Sequence, residues 1–147
     1  MSAAIAKAVV VRRTIAASPE DLFDAWLDPE ALAEWMRPGE IQRSEARTDP
    51  RVGGSYEVIM YGESGRIPHT GVYRVIDRPR KLVFTWRSPF TEETDSLVTV
   101  DFRPEGKRTE VIVTHEQLPA AQISSHTRGW TSGLEHLDHA CTKGDIS

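Results

Sequence analysis

One cysteine, Cys141, stands in a chain of 147 residues. A lone cysteine closes no internal disulfide and suits a reducing compartment. Long apolar runs are missing too: none approaches the ~20 residues of a membrane-spanning helix. The run Ala8–Val11 is too short for a signal-peptide core, and Arg12 and Arg13 lie on its wrong side. Basic excess is also absent. Lys and Arg number 18 against 22 Asp and Glu, a net charge of −4, whereas a nucleic-acid binder usually shows a basic face. There is no internal repeat, low-complexity tract or linker. The sequence contains no nucleophile elbow, no phosphate-cradling glycine loop and no HExxH zinc motif. These absences lead to the expectation of a cytoplasmic protein with no membrane span, no nucleic-acid partner and no cofactor.

What is present suits one domain over residues 1–147, with ordinary hydrophobic (39%) and charged (27%) fractions. The chain is organised around its last long helix, read as Pro119 to Cys141. Ile123, Thr127, Trp130, Leu134, Leu137 and Cys141 recur at steps of four and three, one stripe of a helix. Beside them runs a second stripe of His126, Gly129, Gly133 and His136. Glycine inside a helix costs about 1 kcal/mol relative to Ala, so these two mark a place where a strand or a bound molecule comes close.

Everything earlier is short. Lys7–Ile15 is a β-branched first strand. Ser18 caps a helix that continues through Pro19, Glu20 and Asp21 to about Leu27, with Leu22, Phe23 and Trp26 inward. Asp28-Pro29-Glu30 repeats the start signal for a second short helix through Leu32 to Trp35, ended by Pro38-Gly39. The two make a V. Period-two segments follow: Ile41–Thr48, polar and near an edge; Tyr56/Val58/Met60; and Ile67–Ile76, with His69, Gly71, Tyr73 and Val75 on one face. After these come Leu82/Phe84/Trp86, Val98/Val100/Phe102 and Val111/Val113/His115. Loops fall at 62–65, 77–80, 88–94 and 104–107. Such short connections demand antiparallel pairing, and a sheet of about six to seven strands curls. The prediction is an α+β helix-grip fold, with the curved sheet around the long C-terminal helix and the V closing one end.

Ser18-Pro19-Glu20 with Phe23 and Trp26, then Leu32 and Trp35, resembles the opening of START-like (SRPBCC, birch-pollen-allergen fold) proteins. Val52-Gly53-Gly54-Ser55-Tyr56, Gly71-Val72-Tyr73 through Pro79 and Leu82-Val83-Phe84-Thr85-Trp86 resemble the subgroup named for the activator of the 90-kilodalton heat-shock protein ATPase. So do Thr114-His115 and Gly129-Trp130 with Leu134 and Leu137. The resemblance covers about residues 8–141. The fold hosts lipid carriers, hormone receptors, polyketide cyclases and co-chaperone domains, so it implies architecture more than activity. No segment matches the separate N-terminal domain of the eukaryotic co-chaperone, and a chaperone partner is not expected.

The resemblance implies a cavity between the long helix and the concave sheet face. Residues placed toward it are Tyr56, Val58, Met60, His69, Tyr73, Phe84 and Trp86 from the middle strands. Val98, Val100, Val113 and His115 join them from the last two strands. The helix adds His126, Trp130, Gly133 and Leu134, and the V adds Trp35. An apolar, aromatic lining with a few polar groups is how ligand pockets are composed; the same residues also compose a filled core.

His69, His115 and His126 are the polar members, each able to orient a ligand or to move a proton near neutrality. Glu116 points away from His115. His136 and His139 have metal-ligand spacing, with Asp138 and Cys141 nearby, but Asp138 lies on another side, and a solvated helix end is expected rather than a metal site. Cys141 reads as a small core residue.

Three functions follow: a binder of a small apolar or aromatic ligand; a cyclase- or hydrolase-like enzyme using His69 or His115; and a protein-interaction module docking on Ile41–Thr48. A homodimer through an exposed strand or the V is compatible with the sequence, and nothing demands it.

Overall fold

The structure is a computed structural model that describes residues 8–63, 65–92 and 94–142. The expected strand start at Lys7 lies outside the described residues, as do Ser64 and Glu93 within two of the expected loops. Seven strands form one antiparallel sheet: β1 (Val9–Ile15), β2 (Arg43–Thr48), β3 (Ser55–Gly62), β4 (Gly65–Asp77), β5 (Lys81–Trp86), β6 (Ser96–Glu105) and β7 (Arg108–Glu116). Their order across the sheet is β1-β7-β6-β5-β4-β3-β2, so the first strand closes against the last and the polar β2 is an edge. Between β1 and β2 come helices α1 (Pro19–Leu27) and α2 (Pro29–Trp35), and α3 (Ile123–Thr142) ends the chain. This is the α+β helix-grip architecture, a sheet curled as a half-barrel around the long helix.

The V follows from its caps. Ser18 Oγ accepts from the Asp21 amide at 3.1 Å, and Asp28 Oδ2 accepts from the Ala31 amide at 3.3 Å; a proline opens each helix. Asp28 is extended, so it ends α1 and starts α2 at an angle. The V is then tied down. Trp35 Nε1 donates to the Ala25 carbonyl at 2.9 Å, joining its two arms. From β2, Ser44 and Thr48 hydroxyls donate to the carbonyls of Met36 (2.7 Å) and Leu27 (2.8 Å).

Two local expectations are corrected. Alternation in β4 breaks at a bulge between Tyr73 and Val75, so Val75 turns out to solvent and Ile76 packs inward. The last helix begins with a 3₁₀ turn, Ala120–Gln122, and its α-helical part starts at Ile123. Thr127 is exposed, its hydroxyl bonded back to the Ile123 carbonyl at 2.8 Å. The buried stripe is Trp130, Gly133, Leu134, Leu137 and Ala140.

The β4–β5 ladder has a gap that side chains fill. The Val72 amide donates to Thr85 Oγ1 at 2.9 Å, and the Tyr56 hydroxyl donates to the Thr85 carbonyl at 2.6 Å. Tyr56 reaches that carbonyl by crossing Gly71, its register partner. A methyl at 71 would collide with the Thr85 carbonyl oxygen and come within 2.7 Å of the Tyr56 oxygen. Gly71→Ala should therefore cost about 3 kcal/mol, overpacking plus a broken buried hydrogen bond. Gly129→Ala, whose methyl would meet Pro38 at an ordinary 3.8 Å, should instead stabilise by up to about 1 kcal/mol. Urea midpoints of the two variants check this, and similar midpoints would refute the Gly71 account.

Candidate functional site

Four tryptophans make one chain of contacts through the interior. Trp35 meets Trp26 edge-on at 4.6 Å, Trp26 stacks on Trp130 at 5.8 Å, and Trp130 lies 5.3 Å from Trp86. Trp26 comes from α1 and fills the centre of the sheet's hollow, against Phe84 and Phe102 as well. Little space remains there. The void bordered by Tyr56, Val58, Tyr73 and Phe84 holds about 10 Å³, at most one water.

A cleft of about 500 Å³ opens to one side of this cluster, within the range of small-molecule pockets. Its walls are the end of the β3–β4 hairpin (Met60, Ile67, His69), Trp86 at the end of β5, and the segment after the V (Met36, Pro38, Ile41). The turn before α3 and its first half close it with Ala121, Gln122, Ser125, His126, Gly129 and Trp130. Phe90, on the 3₁₀ turn Pro89–Thr91, stands half-exposed beside it.

Five of the sequence candidates thus line the cleft: Met60, His69, Trp86, His126 and Trp130. Tyr56, Val58, Tyr73 and Phe84 surround the small inner void. Trp35, Val98, Val100, Val113, His115 and Leu134 are buried at 0% exposure, and a methyl at Gly133 would meet the Trp35 ring at 3.7 Å; these pack as core away from the cleft. Pattern reading missed Met36, Pro38, Ile41, Ile67 and Phe90. Met36, Pro38, Ile41 and Phe90 sit outside the strands and α-helices, where periodicity carries no information, whereas Ile67 shares the period-two phase of His69 on β4 and was there to be read. Gly129 was the available signal: no strand presses on it, and its missing side chain opens the cleft.

The three histidines differ. Trp130 Nε1 donates to His115 Nδ1 at 3.0 Å, and His115 Nε2 lies 2.7 Å from Ser96 Oγ, which donates onward to the Trp86 carbonyl at 2.7 Å. Donors and acceptors agree only if His115 is neutral with its proton on Nε2. Burial, and secondarily His126, hold its pKa at about 3. Both nitrogens are engaged, so His115 is a brace rather than a proton shuttle. His69 is 5% exposed, and burial takes it to about 4. The Val58 and Ile67 carbonyls oppose that only partly, and Nδ1 has no hydrogen-bond partner among the described residues. His126 is half-buried, its pKa lowered by burial, and Nδ1 donates to the Gln122 carbonyl at 2.9 Å. Ser125 donates to Gln122 rather than offering His126 a nucleophile.

Elsewhere, burial pushes the Cys141 thiol up to about 11, which keeps it protonated. Asp138 accepts from Arg13 at 2.8 Å. Among the described residues no three His, Cys, Asp or Glu side chains gather to hold a metal.

The family model for "Activator of Hsp90 ATPase homolog 1-like protein" matches residues 16–142. The chain belongs to this family. It has the START-like fold that the sequence motifs implied. Proteins of known structure share that fold with this chain. A Chromobacterium violaceum protein superposes with a TM-score of 0.81 at 23% identity, over 91% of this chain and 96% of that one. A Rhodobacter sphaeroides protein gives 0.81 at 22%, over 96% and 95%. An Hsp90 activator from Plasmodium falciparum gives 0.72 at 27%, over 93% and 96%. No curated protein matches the sequence. No helix among the described residues is long and apolar enough to cross a membrane.

Neutral buried histidines make the stability of this family member pH-dependent. The ordinary value is 6.5, and the folded values of about 4 and about 3 lie below it. The unfolded chain therefore takes up protons that the folded chain refuses. Their contribution is complete above pH 6.5 and is lost as pH falls from 6.5 toward 4 and 3. Between about pH 7 and about pH 5, unfolding free energy should drop by about 4 kcal/mol, and His69→Gln should remove about half of that drop. Urea titrations at the two pH values measure it, and a flat profile would count against neutral, buried histidines.

Proposed function

We propose that the chain binds a small apolar or aromatic molecule in the cleft between α3 and the β3–β4 hairpin, within the cytoplasm to which its single cysteine is suited. The observation that carries this is the cleft itself. About 500 Å³ lies open beside a core otherwise packed tight, with Trp86, Trp130, Met60 and Ile67 in its walls. Aromatic faces and flexible thioethers suit a flat or irregular apolar body. Gly129 supports the reading, because a helical glycine whose Cβ would meet only Pro38 at 3.8 Å is not demanded by packing.

A second reading takes its support from the Plasmodium falciparum relative, described as an Hsp90 activator. It would use the edge strand β2. That strand is guarded by charge, with Arg43–Glu45 at 2.9 Å and Arg47–Glu57 at 3.9 Å, a pattern that discourages strand addition. Catalysis is not proposed: both ring nitrogens of His115 are engaged, and the Ser125 hydroxyl beside His126 is already committed to Gln122.

A thermal-shift panel of fatty acids, sterols, flavonoids and phenols tests the binding reading. A ligand at about 100 times its dissociation constant adds roughly 2.7 kcal/mol, several degrees in Tm. Gly129→Phe should fill the cleft, leave the chain folded and abolish the shift. A panel flat throughout, or a shift that persists in Gly129→Phe, would shift support to the interaction module.

A further inference from the structure

We propose that the cleft selects an uncharged aromatic ligand bearing a hydroxyl group, which donates to Nε2 of His126, and that it rejects the corresponding carboxylate. This rests on the reading of the cleft as a ligand site and narrows the chemistry of its occupant.

The first support is charge. None of the residues lining the cleft is Asp, Glu, Lys or Arg. An ionised group entering it would lose water and find no counter-charge.

The second is the tautomer of His126. A carbonyl can only accept, so the 2.9 Å contact with Gln122 fixes the proton on Nδ1. In the neutral ring Nε2 then carries a lone pair, and no described residue donates to it. A hydroxyl fits that lone pair. A carboxylate, an acceptor only, would set lone pair against lone pair.

The third is the company His126 keeps. His115 lies edge-to-face at 5.2 Å, already fixed as a neutral ring by Trp130 and Ser96. His69 also lines the cleft, buried and depressed in pKa. Converting His126 to a cation to welcome an anion is opposed by its burial. An arylcarboxylate would have to bring a proton with it, and its binding would strengthen as pH falls. The indoles of Trp86 and Trp130 in the cleft wall and the half-exposed ring of Phe90 supply the aromatic preference.

Calorimetry on the full chain, at about pH 8 where a phenol keeps its proton and an aromatic acid has lost its own, tests this with naphthol, naphthalene and naphthoate. Naphthol should bind, with naphthalene about tenfold weaker for want of one buried hydrogen bond. Naphthoate should be about a hundredfold weaker, as an uncompensated charge. His126→Phe should bring naphthol to the naphthalene level, and His126→Gln, whose amide oxygen accepts, should restore most of the difference, both with wild-type melting. Naphthoate binding as tightly as naphthol, or naphthol indifferent to His126→Phe, overturns the proposal and leaves the cleft a ligand site. Failure of all three probes to bind, or naphthol binding that survives Gly129→Phe, overturns the proposal and the cleft reading together.

Discussion

A histidine with no exposure to water costs least when each ring nitrogen finds a partner in the right protonation state. His115 meets that condition by joining three elements. It takes a hydrogen bond from Trp130 of α3, stands on β7, and reaches Ser96 of β6, whose hydroxyl continues to the Trp86 carbonyl at the end of β5. Apolar packing alone would let a helix slide or rotate over a curved sheet, because it is non-directional. The relay sets the rotation of α3 at Trp130. That rotation decides what the preceding turn presents, which is why His126 and Gly129 face the cleft and Thr127 faces solvent.

The cleft then follows from how unequally the hollow is filled. Trp26 and Trp35 arrive from the V and, with Trp130, occupy the centre and one end. At the other end α3 carries Gly129 and the hairpin supplies Met60 and Ile67, and Trp86 and Phe90 stand in the wall of the space left open. The V therefore does more than close the fold: its exit segment, Met36 to Ile41, is a wall of the cleft. Hydrogen bonds from the Ser44 hydroxyl to the Met36 carbonyl and from the Gly39 amide to the Ser132 hydroxyl hold that wall in place. The site thus stands on a rigid frame, although much of its lining comes from turns and strand ends.

Elements were legible where one local rule acted without competition. The Ser18 and Asp28 caps and the alternation of Val98, Val100 and Phe102 needed nothing beyond neighbours in sequence. Reading failed where a distant partner overrode the local pattern. The β4 bulge turned Val75 outward, and Thr127 fell in a helical stripe with no sheet beneath it. Tyr56 was readable as an inward aromatic, but its role in patching the β4–β5 ladder over Gly71 was not, since three strands must meet to create it. The candidate site divided in the same way. His69, Trp86, His126 and Trp130 were found because aromatics and histidines on an inward face are visible as such. Pro38, Ile41 and Phe90 were missed because loops carry no period.

The sequence by itself determined the order of elements, the inward face of most strands and the family, because caps, turns and period-two patterns act over a few residues. Only the tertiary structure decided that the hollow is filled at its centre and open at one side. That depends on the volume of Trp26 set against the absence of a side chain at Gly129, two residues that meet the same space from opposite ends of the chain. It also decided that His115 is a brace, since its tautomer is fixed by Trp130 and Ser96 across the fold, whereas His126 takes its own from Gln122 one helical turn back.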